Sequence, residues 1–187
     1  MKLHLGCGKR NFPGWEHIDA GNFEHVTSHD VTKLPYPDNS VDIIYASHLI
    51  AYFDRTEIKN VLREWKRVLK PGGVLRVATP DFKAMAKLYV KNKSCTLDSF
   101  LGPLYGKWGE VTIDTGSRCG QDSIQVKPPI YHKTVYDLYS IMEVLIIAGF
   151  KTPHKYNRWR TEHARYDDHS AAHIDGQLIS LNVECYA

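Results

Sequence analysis

The fold is decided by a short stretch near the N-terminus, Leu3-His4-Leu5-Gly6-Cys7-Gly8. An apolar run here passes directly into a Gly-x-Gly turn, which is the pattern of a buried strand followed by a tight loop. In an open α/β sheet, ligands lie outside the carboxyl ends of the strands, and glycine at such a turn lets the backbone approach a ligand closely. The stretch therefore predicts a first strand that carries a ligand-binding turn at its end.

Strand patterns and helix patterns alternate over the rest of the chain. We predict further strands at 15–18, around Val26 and at 41–46, 74–79 and 179–185, and helices at 56–69, 81–90 and 134–149. The helix at 56–69 has an apolar stripe with spacings of three and four, and the last strand alternates with period two. This alternation predicts a doubly wound α/β sheet of mostly parallel strands, with one antiparallel strand near the C-terminus.

The helix ends also carry sequence signals. Asp54 or Thr56 can cap the helix at 56–69, and Pro71-Gly72-Gly73 stops it. Thr134, with Asp137 three residues later, has the spacing of a capping box for the helix at 134–149.

Composition excludes several classes of protein. The chain has 187 residues, 43% hydrophobic and 24% charged, which is typical of one globular domain and unlike a disordered chain or a coiled coil. The net charge of +3 is too balanced to predict a nucleic-acid partner. The apolar run from Val144 to Phe150 is far shorter than the ~20 residues of a membrane span, and no secretory signal is visible. Four scattered cysteines favour reduced thiols, so we predict a cytoplasmic protein.

Charged and titratable residues outside the turn give weaker signals. None of the ten histidines falls in a metal-ligand spacing, so no metal site is predicted. The charged run from Arg158 to His169 is expected to be a solvated surface. Five histidines are expected at the surface or at strand edges: His17, His25, His29, His154 and His163.

Two carboxylates indicate which ligand the turn binds. Asp19 closes the second strand, where it can accept hydrogen bonds from both hydroxyls of an adenosine ribose, and Asp30 follows the third strand within reach of an adenine amino group. NAD would need Gly-x-Gly-x-x-Gly opening a helix, with the acid ~20 residues further on. Here Asp19 comes eleven residues after Gly8, and the pyrophosphate-binding glycines are missing. S-adenosylmethionine, an adenosine ligand without phosphate, fits better.

Four ordered motifs within residues 1–81 resemble the class I S-adenosylmethionine-dependent methyltransferases, most closely the small type 11-like enzymes. They are the stretch already quoted, Leu34 to Asp42, Ser47-His48-Leu49 and Arg63 to Gly73. The resemblance implies a seven-stranded sheet. It implies that Gly6, Cys7 and Gly8 contact the methionine and ribose, Asp19 the ribose diol, Asp30 and the Val31 backbone the adenine, and Ser47 the region of the sulfonium.

Two positions depart from the family pattern. His4 stands where the first strand usually has an acidic residue, and Arg10 stands at the usual third glycine. The first helix is shortened to a turn around 12–14.

We predict a single domain over residues 1–187, in which 92–133 is a lid and acceptor-binding insertion. This segment holds five of the thirteen glycines and little periodicity, and long loops in compact domains are more often functional than plain connections. The predicted function is methyl transfer to a small-molecule or glycan acceptor, with His132 as the first candidate base and His48 as the second. A non-catalytic module that keeps the fold is the alternative. Lid residues that suit a hydroxylated acceptor are Tyr105, Trp108, Gln121, Asp122 and His132.

Overall fold

A computed structural model describes residues 1–106 and 130–187. Nine strands are present in these ranges: β1 Lys2–Leu5, β2 Glu16–Ile18, β3 Val26–Ser28, β4 Val41–Ser47, β5 Leu69–Pro80, β6 Lys151–Lys155, β7 His173–Ile174, β8 Gln177–Leu178 and β9 Ser180–Tyr186. Four α-helices accompany them: α1 Glu57–Val68, α2 Phe82–Lys91, α3 Asp98–Tyr105 and α4 Leu138–Ile147.

Seven of the strands form one sheet, in the order β3-β2-β1-β4-β5-β9-β6. The first five strands in this order run parallel to their neighbours, whereas β9 is antiparallel to both β5 and β6. The predicted seven-stranded, mostly parallel sheet with one antiparallel strand is therefore confirmed. The chain leaves β1 towards β2 and returns on the other side as β4, so the topological switch point lies between β1 and β4. Leu5 pairs with Ala46 there, which places Gly6 beside Ser47.

One face of the sheet packs against α1 and α4. Leu3, Leu5 and Ile44 are fully buried in this core, together with Trp65 of α1 and Ile141 of α4. Burial of these side chains supplies the main driving force for folding.

The opposite face of the sheet has a different cover. No helix joins β1 to β2, in agreement with the predicted turn, and an aromatic layer lies over the strands instead. Phe12 stacks on His4 and on Tyr166, with ring centroids 4.1 and 4.0 Å apart, and His163 stacks on Tyr45 at 3.9 Å. Tyr166 and His163 belong to the segment 156–172 between β6 and β7, which contains one short 3₁₀ helix at Arg158–Arg160 and no α-helix. This segment therefore covers the second face.

The prediction of a solvated surface from Arg158 to His169 is therefore wrong for three of its residues. Arg158, His163 and Asp168 are 6%, 0% and 3% exposed, because the segment packs onto the sheet. His17 is also buried, at 2%, since the loop between β1 and β2 folds over it and its Nε2 accepts the Phe12 N–H.

The element boundaries correct two further details. At α4 the capping box is formed by Asp137 and Ser140 rather than by Thr134 and Asp137, because the helix begins only at Leu138. β5 begins at Leu69, five residues before the predicted start, with a register shift that leaves 70–73 as a bulge opposite β4. Pro71 is tolerated there because a bulge does not need its missing N–H.

The start of α1 settles which of the two predicted residues caps it. Thr56 directly precedes the helix, but its side chain makes no capping bond. The Asp54 carboxylate accepts the N–H groups of Thr56 and Glu57, so Asp54 supplies the capping side chain.

The predicted lid at 92–133 lies partly outside the described residues. Its described part contains α3, a helix that the sequence patterns do not predict. Trp108, Gln121 and Asp122 fall in 107–129, so the predictions made for them lie outside the described residues. Within 1–106 and 130–187, no helix is long and apolar enough to cross a membrane.

Candidate functional site

Two adjoining cavities open at the switch point between β1 and β4. The glycine-turn cavity has a volume of about 390 Å³ and reaches Gly8, Arg10, His132, Asp168 and His169. The Asp30 cavity, of about 360 Å³, reaches Asp30, Val31 and Phe53. Both are lined by the same five residues in the middle: Gly6, Asp19, Ser47, His48 and Tyr52. The two cavities thus form one elongated cleft at the carboxyl edge of the sheet.

Asp19 lies at the centre of this cleft, 5% exposed. Its Oδ2 accepts the Gly8 N–H at 2.8 Å, and its Oδ1 accepts the Gly21 N–H at 2.7 Å. The carboxylate therefore ties the glycine turn to the end of β2. Each oxygen has a second lone pair, so Asp19 can also accept hydrogen bonds from a ligand in the cleft.

The glycine turn needs its glycines for two reasons. Gly6 and Gly8 have φ of +65° and +55°, in the left-handed region that other residues rarely adopt. A Cβ on Gly6 would lie 3.1 Å from the Leu49 side chain. Cys7, between them, is buried, and burial raises the pKa of its thiol to about 12, so Cys7 offers the cleft a backbone rather than a thiolate.

His4 faces the glycine-turn cavity from β1 but lies almost fully inside the aromatic layer. Burial lowers the pKa of His4 well below its usual value, and the nearby His17 lowers it further, so the ring is neutral at pH 7. His4 therefore does not supply the negative charge that an acidic residue would place at this position.

The Asp30 cavity combines apolar walls with polar groups from the loop after β3. The exposed Asp30 carboxylate accepts the N–H and the hydroxyl of Thr32, which lowers its pKa. The Val31 carbonyl accepts the Trp65 indole N–H at 2.8 Å. Val31 can therefore present its backbone N–H to a ligand while its carbonyl is held by α1.

Segment 156–172 closes the other side of the cleft. The Ser47 hydroxyl donates to the Asp168 carbonyl at 2.6 Å. The buried Asp168 carboxylate accepts hydrogen bonds from Tyr45 and Ser170, and the Arg158 guanidinium lies 3.6 Å away. The sequence analysis missed Asp168 because Tyr45 and Ser47, which donate to it, lie 123 and 121 residues earlier in the chain, and no local pattern marks it.

His48 occupies a strained backbone position at the end of β4, with φ of +54°. Its Nε2 lies 3.1 Å from the His169 carbonyl and 3.3 Å from the Ser180 hydroxyl, so this nitrogen carries the proton and donates it. Burial, followed by His169, lowers the pKa of His48 to about 3. His48 is thus a neutral and weakly basic group that helps to position segment 156–172.

His132 lines the glycine-turn cavity on the side of α3. Its Nδ1 donates to the Pro103 carbonyl at 3.1 Å, which leaves the lone pair on Nε2. The ring lies edge-on to Tyr52, with centroids 4.6 Å apart, and packs on Gly106, where a Cβ would lie 2.1 Å from Nε2. Burial lowers its pKa, so His132 is an unprotonated proton acceptor at neutral pH.

The structure thus brings both predicted catalytic histidines and all seven predicted cofactor residues to the walls of one cleft. Among the predicted lid residues, Tyr105 is 57% exposed at the end of α3.

Comparison with known proteins gives matches in sequence and in structure. A family profile described as a methyltransferase domain matches residues 15–77. A ubiquinone/menaquinone biosynthesis C-methyltransferase of Ectopseudomonas mendocina is 34% identical over 138 residues, 71% of this chain and 46% of that protein. The protein of the same name from Pseudomonas savastanoi pv. phaseolicola is 38% identical over 137 residues, which are 70% of this chain and 46% of that protein. The chain spans about half the length of these curated relatives.

Among solved structures, a SAM-dependent methyltransferase from Methanosarcina mazei superposes with a TM-score of 0.54. The identity is 16%, and the match covers 99% of this chain and 91% of that chain. At this identity the likeness concerns the fold, and it supports the sheet described above.

Proposed function

The chain belongs to the class I S-adenosylmethionine-dependent methyltransferase family, and we propose that it transfers a methyl group from S-adenosylmethionine to an oxygen, nitrogen or carbon nucleophile of a small-molecule or glycan acceptor. The observation that carries the proposal is Asp19, a buried carboxylate that faces both halves of the cleft at the switch point. An acid in this place suits the two hydroxyls of a ribose.

The residues of the cleft fit this cofactor better than a dinucleotide. The glycine turn leads into a loop, so there is no helix N-terminus to bind a pyrophosphate. Gly6 has a positive φ and its Cβ would lie 3.1 Å from the Leu49 side chain, so the turn keeps a bare backbone beside the cleft. Apolar side chains flank the polar groups of the Asp30 cavity. When bound, S-adenosylmethionine supplies a methyl group on an already activated sulfonium.

Each half of the cleft has its own proposed role. Asp30 and the Val31 N–H would bind the adenine, Asp19 the ribose, and the backbone of residues 6–8 the methionine. Since the Ser47 hydroxyl donates to the Asp168 carbonyl, Ser47 would act near the sulfonium through its oxygen and by holding segment 156–172 in place. The protein's main task is to hold the acceptor in line and to exclude water.

His132 is the proposed general base. The Pro103 bond at Nδ1 leaves the lone pair on Nε2, and the residue lines the half of the cleft opposite to the Asp30 cavity. At this nitrogen it would take the proton that the acceptor loses. His48 is the weaker candidate, because its Nε2 is a committed donor and its pKa is lowered to about 3.

Calorimetry with S-adenosylhomocysteine and with NAD tests the cofactor. We expect binding of S-adenosylhomocysteine and none of NAD. If S-adenosylhomocysteine does not bind at millimolar concentration, the chain is a binding module that keeps the fold, and the proposed function is wrong.

The base is tested with labelled methyl groups and an acceptor found by screening small hydroxylated, phenolic and sugar compounds. We expect His132→Ala to lower kcat by about 10²–10⁴-fold, the usual contribution of a general base, with S-adenosylhomocysteine affinity unchanged. His173→Ala, at an exposed position in β7, is the matched control. Equal kcat in His132→Ala and wild type would remove His132 from the mechanism.

A further inference from the structure

Arg10 follows a glycine turn that leads into no helix. Between β1 and β2 the structure has only loop, so the cleft lacks the partial positive charge and unpaired N–H groups that a helix N-terminus offers to an anion. Arg10 lines the glycine-turn cavity at this point and brings a full positive charge to it. The third glycine of the family pattern is thus replaced by a cation on the wall of the cleft.

The guanidinium of Arg10 is oriented by segment 156–172. Its Nε donates to the Asp167 carbonyl, and its Nη2 lies 3.4 Å from His169 Nε2. These contacts occupy the edge formed by Nε and Nη2 and use two of the five N–H groups. The end-on edge, formed by Nη1 and Nη2, is left for a ligand. Nη1 lies 3.8 Å from the place where a Cβ on Gly8 would sit, so this edge lies beside the glycine turn.

The acidic groups of the same cavity are already engaged. Asp19 accepts two backbone N–H groups, and Asp168 is bonded to Tyr45 and Ser170 and lies beside Arg158. Within 1–106 and 130–187, Arg10 has no carboxylate partner. The cavity therefore presents a cation that no acidic side chain of the described residues neutralises.

We propose that Arg10 binds the α-carboxylate of S-adenosylmethionine through its end-on edge. This inference rests on the proposed function. If the adenosine lies between Asp30 and Asp19, the amino-acid end of the molecule extends through the shared middle of the cleft into the glycine-turn cavity. A guanidinium recognises a carboxylate with two parallel N–H bonds, and Arg10 is held with such an edge facing the turn.

The test compares two ligands by calorimetry: S-adenosylhomocysteine and 5′-methylthioadenosine, which keeps the adenosine and the sulfur but has no carboxylate. We expect Arg10→Gln to weaken S-adenosylhomocysteine binding by roughly ten- to a hundred-fold, the range for hydrogen bonds to a charged group. The affinity for 5′-methylthioadenosine should stay within about two-fold, since that ligand has nothing for Arg10 to bind. Lys9→Gln removes the exposed neighbouring cation and should change neither affinity.

Arg10→Lys keeps the charge but loses the planar edge, so it should weaken S-adenosylhomocysteine alone and by less than Arg10→Gln. If thermal unfolding shows that Arg10→Gln does not fold, Arg10→Lys takes its place as the test variant. Equal weakening of both ligands would show that Arg10 only holds segment 156–172, and unchanged S-adenosylhomocysteine binding would exclude the contact; either result overturns the inference. If the wild-type chain binds neither ligand, the proposed function itself has failed.

Discussion

Replacing Asp19 by alanine should lower the free energy of unfolding even when no ligand is present, because Asp19 holds the glycine turn. The carboxylate is 5% exposed and accepts the N–H groups of Gly8 and Gly21 at 2.8 and 2.7 Å. A hydrogen bond to a charged group contributes about 1.5–3 kcal/mol, so the loss of both bonds should cost at most roughly 3–6 kcal/mol of stability. Removing a buried charge and admitting water to the adjoining cavities both offset part of this. We expect the free energy of unfolding to fall by about 2–4 kcal/mol.

The measurement is urea unfolding of the ligand-free protein, followed by calorimetry with S-adenosylhomocysteine. Asp19→Asn keeps one acceptor oxygen and should lose about half as much stability. Asp30→Ala is the control, because Asp30 is exposed and bonds only to Thr32 among the described residues. It should cost at most about 1 kcal/mol of stability, as surface substitutions usually do, while still weakening the binding of the adenosine part.

The same experiment separates two roles of Asp19. If the free energy of unfolding of Asp19→Ala stays within about 0.5 kcal/mol of wild type, the two backbone bonds do not hold the turn and the reasoning is refuted. If stability falls but S-adenosylhomocysteine affinity is unchanged in the folded fraction, Asp19 is a structural residue and not the ribose ligand.

Two further predictions concern stability and the turn. Burial lowers the pKa of His163 from 6.5 to about 4, so between these pH values the unfolded chain takes up a proton that the folded chain does not. The free energy of unfolding therefore falls by about 1.4 kcal/mol for each unit that the pH drops through this range, and it rises as the pH increases. His163→Phe should reduce the slope of unfolding free energy against pH by that amount. Tyr156→Phe, which removes the hydroxyl 3.3 Å from His163 Nε2, is the control and should keep the slope. An unchanged slope in His163→Phe would show that His163 is not the group that titrates. Gly6→Ala should lose roughly 1–2 kcal/mol from its positive φ and also weaken S-adenosylhomocysteine binding through the contact with Leu49. Gly14→Ala, with φ of +79° and no atom within 4 Å of its Cβ, should show only the loss of stability; equal affinities in the two variants would refute the role of the turn.

The elements that the sequence predicts well are those whose causes are local. The helix predicted at 56–69 is observed at Glu57–Val68, because its apolar stripe and the Asp54 cap lie within the same few turns. The strand predicted at 41–46 is observed at Val41–Ser47. The stretch from Leu3 to Gly8 places its glycines at the switch point, since a parallel sheet buries such a strand and leaves its carboxyl end open.

The elements that the sequence does not predict depend on partners far along the chain. Asp168 looks solvated within its charged run, yet it is buried because Tyr45, 123 residues earlier, donates a hydrogen bond to it. The run also contains Arg158, which pairs with Asp168 of the same run, and His163, which stacks on Tyr45 of a distant strand. A charged run has the same local pattern whether it faces water or a polar sheet face, so burial here can be read only from the assembled structure.

Segment 156–172 links the stability of the sheet to the shape of the cleft. Tyr45 and Ser47, on β4, and Arg10, after β1, each hold Asp167 or Asp168, so the residues that cover the second face of the sheet also form a wall of the glycine-turn cavity. A ligand that binds only the folded protein stabilises it by RT ln(1 + [L]/Kd). Because a cofactor in this cavity would contact the same wall, the segment should be more firmly held when the cleft is filled. The helix that is absent after the glycine turn is thus replaced by a C-terminal segment that serves both as a cover for the sheet and as one side of the site.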